Sequence, residues 1–399
     1  MSTIQLRRST TSGNVPPSLA IGEIAINEAD HQFFHRSPSG LITPFDGMAA
    51  MRNANLVINT GMRVSQESVA NAQTGLSVGK YIVDMFGSAI TGGGVCTIQQ
   101  VTDAPAGFFN SAKISVTTAD TTIAAGDKYS IYAGIEGYRI ALLGFGAAGA
   151  SPIAVGFWVK AHRAGIYCFA VGNAAAVRSY VAQFTVNAAD TWEYKTIVIP
   201  GDTTGSWLND FQVGMYIQWC LAVGSSGQTT AGAWQAGNFA GTSSNVNGVG
   251  ATTDTFQITG VSIIPGSAPI PSDLSRYMQR TFDEELRFCQ RYYQKGYRYA
   301  DAVGSNRSGD FNGIIGTFTG TATIGTPLGM TIFFSSTMRS VPTVTVYDTL
   351  GAAGKCFRGG TGKAAGLNNA AAEYGCEIVS NDTTSANSME FYWTADARM

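Results

Sequence analysis

Apolar and polar residues alternate in short runs along most of this chain, broken by Gly, Asn, Asp and Ser, and a helical rhythm appears in one long stretch. From Leu274 to Lys295 the apolar positions Leu274, Met278, Phe282, Leu286, Cys289 and Tyr293 recur at spacings that share one helical face. The spacing predicts a helix over the whole run, about 33 Å long. Pro265, Pro269 and Pro271 form a stiff lead, Ser272 or Asp273 can cap it, and Gly296 can stop it. Asp283, Arg287 and Arg291 follow one another at i, i+4 outside the stripe. Such a stripe has to be covered, either by copies of itself or by the chain's own β-domains. We expect Met278, Phe282, Leu286, Cys289 and Tyr293 to be an oligomer contact.

The remainder reads as strands. Gly22 to Asn27 alternates, Glu28 to His31 turns, Gln32 to Arg36 returns, and Ser37 to Gly40 ends a hairpin. Asn55 to Arg63 opens a β-rich region ending near Pro265. Its predicted strands are Lys80 to Phe86, Val95 to Val101, Ala112 to Thr117, Tyr129 to Ile135, Tyr138 to Gly144, Ile153 to Lys160, Gly165 to Val171, Tyr180 to Val186, Glu193 to Ile199, Gln212 to Val223 and Thr255 to Ile264. Many short strands with regular turn signals fit a jelly-roll sandwich. After the helix, Thr317 to Ile324, Met330 to Phe334, Thr343 to Tyr347, Glu377 to Ser380 and Met389 to Trp393 predict a smaller β-sandwich, with Asp348 to Asn369 as a candidate exposed tip. The expected fold is therefore mainly β. It has an N-terminal segment (1–53), a jelly roll (54–265), a proline linker with a single helix (266–296) and a C-terminal β-domain (297–399).

Composition narrows the function. Charged residues are 13% of the 399 and 48 are glycine, against a usual ~25% charged and ~7% glycine. That suits a turn-rich β protein. A net charge of −2 without a basic run gives no footprint for nucleic acid. There is no run of ~18 apolar residues and the N-terminus is polar, so we expect no membrane insertion, no export signal and synthesis in a cytoplasm. Six cysteines, Cys96, Cys168, Cys220, Cys289, Cys356 and Cys376, lie outside any C-x-x-C pair. Buried free thiols are expected, the alternative being disulfides between subunits.

Catalytic patterns are weak. His31 and His35 imitate a zinc-binding H-x-x-x-H, but Gln32 takes the general-base position and the run reads as a strand, where residues four apart lie ~13 Å apart. Gly144, Gly146 and Gly149 spell G-x-G-x-x-G, yet a strand rather than a helix follows, so a turn is expected. His162 reads as a solvated turn residue. Paired carboxylates for glycan cleavage could come from Asp190 with Glu193 or Asp202 with Asp210, but each sits among turn residues that acids commonly close. No metal or cofactor is expected, and we expect no enzyme. Aromatic rings that could stack on sugars are Trp192, Trp207, Trp219 and Trp234, with Tyr347, Tyr392 and Trp393 further on. Trp158 and Trp219 lie within alternating strands and read as core. Trp207 and Trp234, in Gly/Ser-rich loops, and Tyr347 are the candidates for glycan binding.

Several stretches resemble one family. GEIAIN with the aromatic pair Phe33 and Phe34, Arg36 and the Gly40 turn looks like the N-terminal attachment segment of tailed-phage fibre and appendage proteins. GFWVKAHRAGIYCFAV, SYVAQFTVNAADTWEYKTIVIPGDTTGSW, AGAWQAGNF and FQITGVSIIPGS are similar to the carbohydrate-binding-module-like sandwich of phage tail fibres and neck appendages. EELRFCQRYYQKGY resembles the junction that follows, and FFSSTMRSVPTVTVYD the C-terminal domains. The resemblance implies a virion structural protein, a tail fibre or a neck (collar) appendage. It would be a homotrimer joined to other virion proteins through Glu23, Ile24, Ile26, Phe33, Phe34 and Arg36, and would adhere to host-surface glycan. A glycan-degrading tailspike and a purely architectural collar protein are the alternatives.

Overall fold

The computed structural model describes residues 7–29, 32–36, 42–44, 47–74, 79–308, 314–317, 328–358, 361–380 and 388–399. Strand accounts for 43% and helix for 8%, so the protein is mainly β. No helix among the described residues is long and apolar enough to cross a membrane.

Strands β1 (Arg7–Ser9), β2 (Ile24–Asn27), β3 (Gln32–Arg36) and β4 (Ile42–Pro44) form a sheet in that order. The expected hairpin is present, with Ala25 opposite Phe34 and Ile26 opposite Phe33; Asp30, His31 and the Ser37 to Gly40 turn lie outside the described residues. Alternation sends Leu19, Ala25, Phe34 and Ile42 into a small core and leaves Phe33 44% exposed on the opposite face. Helix α1 (Gly47–Ala54) leads into the sandwich.

The sandwich is built from β5 (Lys80–Val83), β6 (Phe86–Thr91), β7 (Val95–Val101), β8 (Ser111–Thr118), β9 (Lys128–Glu136), β10 (Ile153–Ala161), β11 (Gly165–Asn173), β12 (Arg178–Val186), β13 (Glu193–Ile199), β14 (Val213–Val223), β15 (Trp234–Ala236) and β16 (Thr255–Pro265). The back sheet runs β13-β10-β16-β8-β7 and the front sheet β15-β12-β11-β14-β9-β6-β5. The chain passes repeatedly between them, as in a jelly roll. Between the sheets Phe157, Phe169 and Trp219 meet with ring centroids 5.1–6.0 Å apart.

Two local expectations are corrected. Lys80 to Phe86 is not one strand: the chain reverses at Asp84 and Met85, the latter at φ 72°, to give β5 and β6. Tyr138 to Gly144 is the single-turn helix α2 (Gly137–Ile140) followed by a 3-10 turn (Ala141–Leu143), because Ile140 and Leu143, three apart, are the residues buried. Trp219 is fully buried, as expected, whereas Trp158 is half-buried and donates to Ser275 Oγ at 3.0 Å.

The long helix is the largest correction. Ser275–Met278 is a 3-10 turn, helix α3 spans only Phe282–Gln290, and Tyr293–Lys295 is strand β17. Thr281 and Glu284 form a reciprocal capping box that starts the helix there rather than at Ser272 or Asp273. Pairing of β17 with the C-terminal strand β25 (Ser388–Asp396) removes the last turn. The stripe read as an oligomer contact is covered by the chain itself. Met278, Cys289 and Tyr293 are buried, and Phe282 and Leu286 pack on the sandwich core. Buried Glu285 accepts from the Asn59 N–H at 2.5 Å and faces Arg280 at 3.4 Å, which pins α3 to the loop before β5.

The C-terminal region adds β18 (Ile314–Thr317), β19 (Leu328–Phe333), β20 (Thr343–Tyr347), β21 (Lys355–Arg358), β22 (Thr361–Ala364), β23 (Gly366–Leu367) and β24 (Gly375–Ser380). One sheet is organised on β25, the other runs β19-β24-β23, and Ile332, Ile378, Phe391 and Trp393 share their core. Most of the strand expected at Thr317 to Ile324 lies outside the described residues. The expected tip contains β21, β22 and β23 instead, with Cys356 buried and Asp348 accepting the N–H groups of Leu350 and Ala352. Arg398 fastens this region to the sandwich. It lies 2.6 Å from Glu67 and from Asp396, with its guanidinium 4.1 Å from the ring centres of Tyr81 and Tyr293.

A tyrosine-lined cleft on the front sheet

Strand alternation determines which side chains reach the outer face of the front sheet. On β14, Met215, Ile217 and Trp219 are fully buried between the sheets, so Tyr216 and Gln218 point outward. On β9, Ile131, Ala133 and Ile135 are inward, which turns Tyr132 and Gly134 out. The register sets Gly172, Tyr216 and Gly134 in one row across the sheet, and Gln218, Tyr132 and Gly87 in the next. The glycines are needed: a Cβ on Gly87 would stand 2.8 Å from the Tyr132 ring, and one on Gly134 2.9 Å from Cβ of Met399.

These rows floor a cleft of about 250 Å³. Tyr132 and Tyr216 lie 6.5 Å apart at 61°, and Tyr81 continues the series 6.5 Å from Tyr132. One wall is the turn carrying Asn173 and Ala176 together with a strap carrying Asn238 and Phe239; Met399 closes the opposite end, and Lys128 and Ala89 complete the lining. The strap is held down by a second small core on the same outer face, Cys168, Ala170, Val181, Cys220 and Ala240 under Phe239. Asn173 is fixed: its amide donates to Ser206 O and its oxygen accepts the N–H groups of Val177 and Arg178. Burial pushes the Tyr132 and Tyr216 phenols above their ordinary value, so at neutral pH both stay protonated donors.

The candidates named from sequence lie elsewhere and are not brought together. Trp207 and Trp234 meet edge-to-face at 5.5 Å at the sandwich margin, where Trp207 meets Phe145 at 4.9 Å and Trp234 meets Tyr180 at 5.5 Å. Their indole N–H groups serve loop closure, Trp207 donating to Asp202 at 3.3 Å and Trp234 to Pro200 O at 2.8 Å. Tyr347 is half-buried in the C-terminal region, with its ring 6.0 Å from Tyr297. Tyr132, Tyr216, Gln218 and Lys128 were missed, although the alternation that sets their direction is legible in β9 and β14.

The acids have local partners. Asp190 meets His162 at 2.8 Å, and Glu193 accepts the Asn187 and Ala188 N–H groups. Asp202 pairs with Arg178 at 2.6 Å, and Asp210 accepts the Gln212 N–H. Burial raises Asp202, but its bonds to Arg178 and Thr204 outweigh that and leave it below the usual carboxylate range. No carboxylate side chain belongs to the described residues lining the cleft, and no His/Cys/Asp/Glu group able to hold a metal occurs among the described residues. Gly144, Gly146 and Gly149 all have positive φ in the expected turn, and the six cysteines are buried, with Cys96, Cys168, Cys220, Cys289 and Cys376 free thiols. Of the proposed attachment residues, Glu23 accepts from Ala20 N–H and pairs with Arg7, Arg36 donates to Leu19 O, and Phe34 is core. Ile24 and Ile26 are half-buried and Phe33 is exposed on the other face.

No protein-family model matches the chain, and no curated protein is similar to it at a significant level. Among solved structures, the enzymatically active domain of bacteriophage CBA120 tailspike protein 4 is similar at 12% identity over 54% of this chain and 22% of that one, with a TM-score of 0.26. The chain therefore spans 22% of that tailspike's length. A family 11 carbohydrate-binding module from a Clostridium thermocellum cellulosomal cellulase is 14% identical over 51% of this chain and 99% of that one, with a TM-score of 0.24. A putative sugar-binding protein from Bacteroides thetaiotaomicron is 13% identical over 53% of this chain and 99% of that one, with a TM-score of 0.30.

Proposed function

We propose that this protein is a non-enzymatic glycan-binding component of a tailed-phage particle, a tail fibre or neck appendage. The N-terminal sheet joins it to the particle and the front-sheet cleft holds host-surface glycan. The observation that carries the binding half is the lining of the cleft. Tyrosine faces offer stacking surface, Gln218, Asn238 and the phenols offer hydrogen bonds, and no carboxylate side chain stands ready for hydrolysis. The virion half rests on the sequence resemblance, above all GEIAIN with Phe33, Phe34 and Arg36. A cleft this small gives weak contacts singly, and a homotrimer repeated on one particle multiplies them.

Titration of purified chain with host-surface oligosaccharides tests this reading. The expected result is saturable binding, weakened at least about tenfold by Tyr132→Ala or Tyr216→Ala, the loss typical of a central aromatic anchor. Binding indifferent to both substitutions would overturn the site, and release of new reducing ends from the polysaccharide would overturn the non-enzymatic role.

A further inference from the structure

Lys128 is the one cationic side chain among the described residues lining the cleft. It opens β9, where its N–H donates to Thr91 Oγ1 at 3.1 Å, so its backbone is fixed in the sheet. Lys195 holds Glu193 at 2.6 Å and Arg178 holds Asp202 at 2.6 Å, while half-buried Arg139 donates to the Leu56 and Asn55 carbonyls. Among the described residues the Lys128 ammonium has no ion-pair partner. The neighbouring acid, Asp127, accepts the Ala124 N–H at 2.7 Å within the preceding turn. Tyr132 follows on the same face of β9, separated by the outward Ser130, whose hydroxyl is turned to Ala89 O at 3.5 Å. A half-enclosed ammonium without an anion, in the same cleft as Tyr132 about 13 Å along β9 and without a competing carboxylate side chain, is complementary to an anion on the ligand. A charge-assisted hydrogen bond is worth about tenfold or more in affinity.

We infer that the cleft selects an anionic sugar, with Lys128 as the specificity-determining residue that meets its acid group. The inference rests on the glycan-binding reading of the same cleft. A lysine is a compact point charge with rotatable donors, so it accepts a sugar carboxylate or a sugar phosphate.

Calorimetric titration of the full chain with a uronic-acid oligosaccharide, its carboxyl-reduced neutral counterpart and a sugar phosphate tests this, with Lys128→Gln and Lys128→Glu as variants whose melting is checked first. The wild type should bind an anionic ligand about tenfold or more tighter than the neutral one. Which anion leads assigns carboxylate or phosphate. The ratio should fall to about one in Lys128→Gln and invert in Lys128→Glu. Equal affinity of the wild type for anionic and neutral ligands, or a preference that survives both variants, overturns the inference while leaving the glycan cleft standing. Failure to bind any of the sugars overturns both.

Discussion

At the scale of single residues, Tyr132 and Tyr216 show how little of a binding surface composition reveals. Both strands were legible, and the burial of Ile131 and Ile217 between the sheets fixes the direction of their neighbours. What alternation alone does not disclose is which of two faces stays open. That depends on where the strap with Phe239 and the residue Met399 come to rest, and both are distant in sequence. Trp207 and Trp234 attracted attention because loops are usually solvated; their N–H groups are instead closed onto Asp202 and Pro200. Trp207→Ala should therefore lower stability by about 3 kcal/mol or more in denaturant titration, with sugar affinity of the folded variant unchanged. Lys295 gives a second prediction. Burial pushes its ammonium down to about 8 while it donates to Tyr299 O and Asp301 O. In the unfolded chain it titrates near 10.4, so between these values the unfolded state binds more protons and stability contributed by this residue rises with pH. Melting of wild type minus Lys295→Met should shift in the wild type's favour from pH 8 to 10 and stay flat from pH 6 to 7.5.

At the scale of elements, the region from Leu274 to Lys295 carries the main lesson. Its apolar spacing is real, yet three elements share it because the capping box at Thr281 and Glu284 and the pairing of Tyr293–Lys295 with β25 each outcompete one continuous helix. The capping box was readable as T-x-x-E; the strand pairing was not, since its partner lies a hundred residues downstream. Thr281→Ala should cost about 1 kcal/mol and speed amide exchange selectively in the first turn of α3. Glu285→Ala should cost about 3–5 kcal/mol, because it strands the buried Arg280 guanidinium and the Asn59 N–H. Denaturant midpoints at fixed pH check both.

At the scale of the whole molecule, the strand content, the two sheets of the sandwich and the N-terminal hairpin follow from alternation and turn residues, and were legible. The attachment of the C-terminal region was not, because it depends on the tertiary meeting of Arg398 with Glu67, Tyr81 and Tyr293. Arg398→Ala should separate one melting transition into two in calorimetry and loosen Met399 at the end of the cleft. The central claim is that a glycan lies on the front sheet across Tyr132 and Tyr216. A crystal structure of the full chain soaked with a binding oligosaccharide tests it most directly. The account predicts a sugar ring against one or both tyrosines with Gln218 within hydrogen-bonding distance. Sugar density at the Trp207 and Trp234 margin, with the cleft empty, would contradict it.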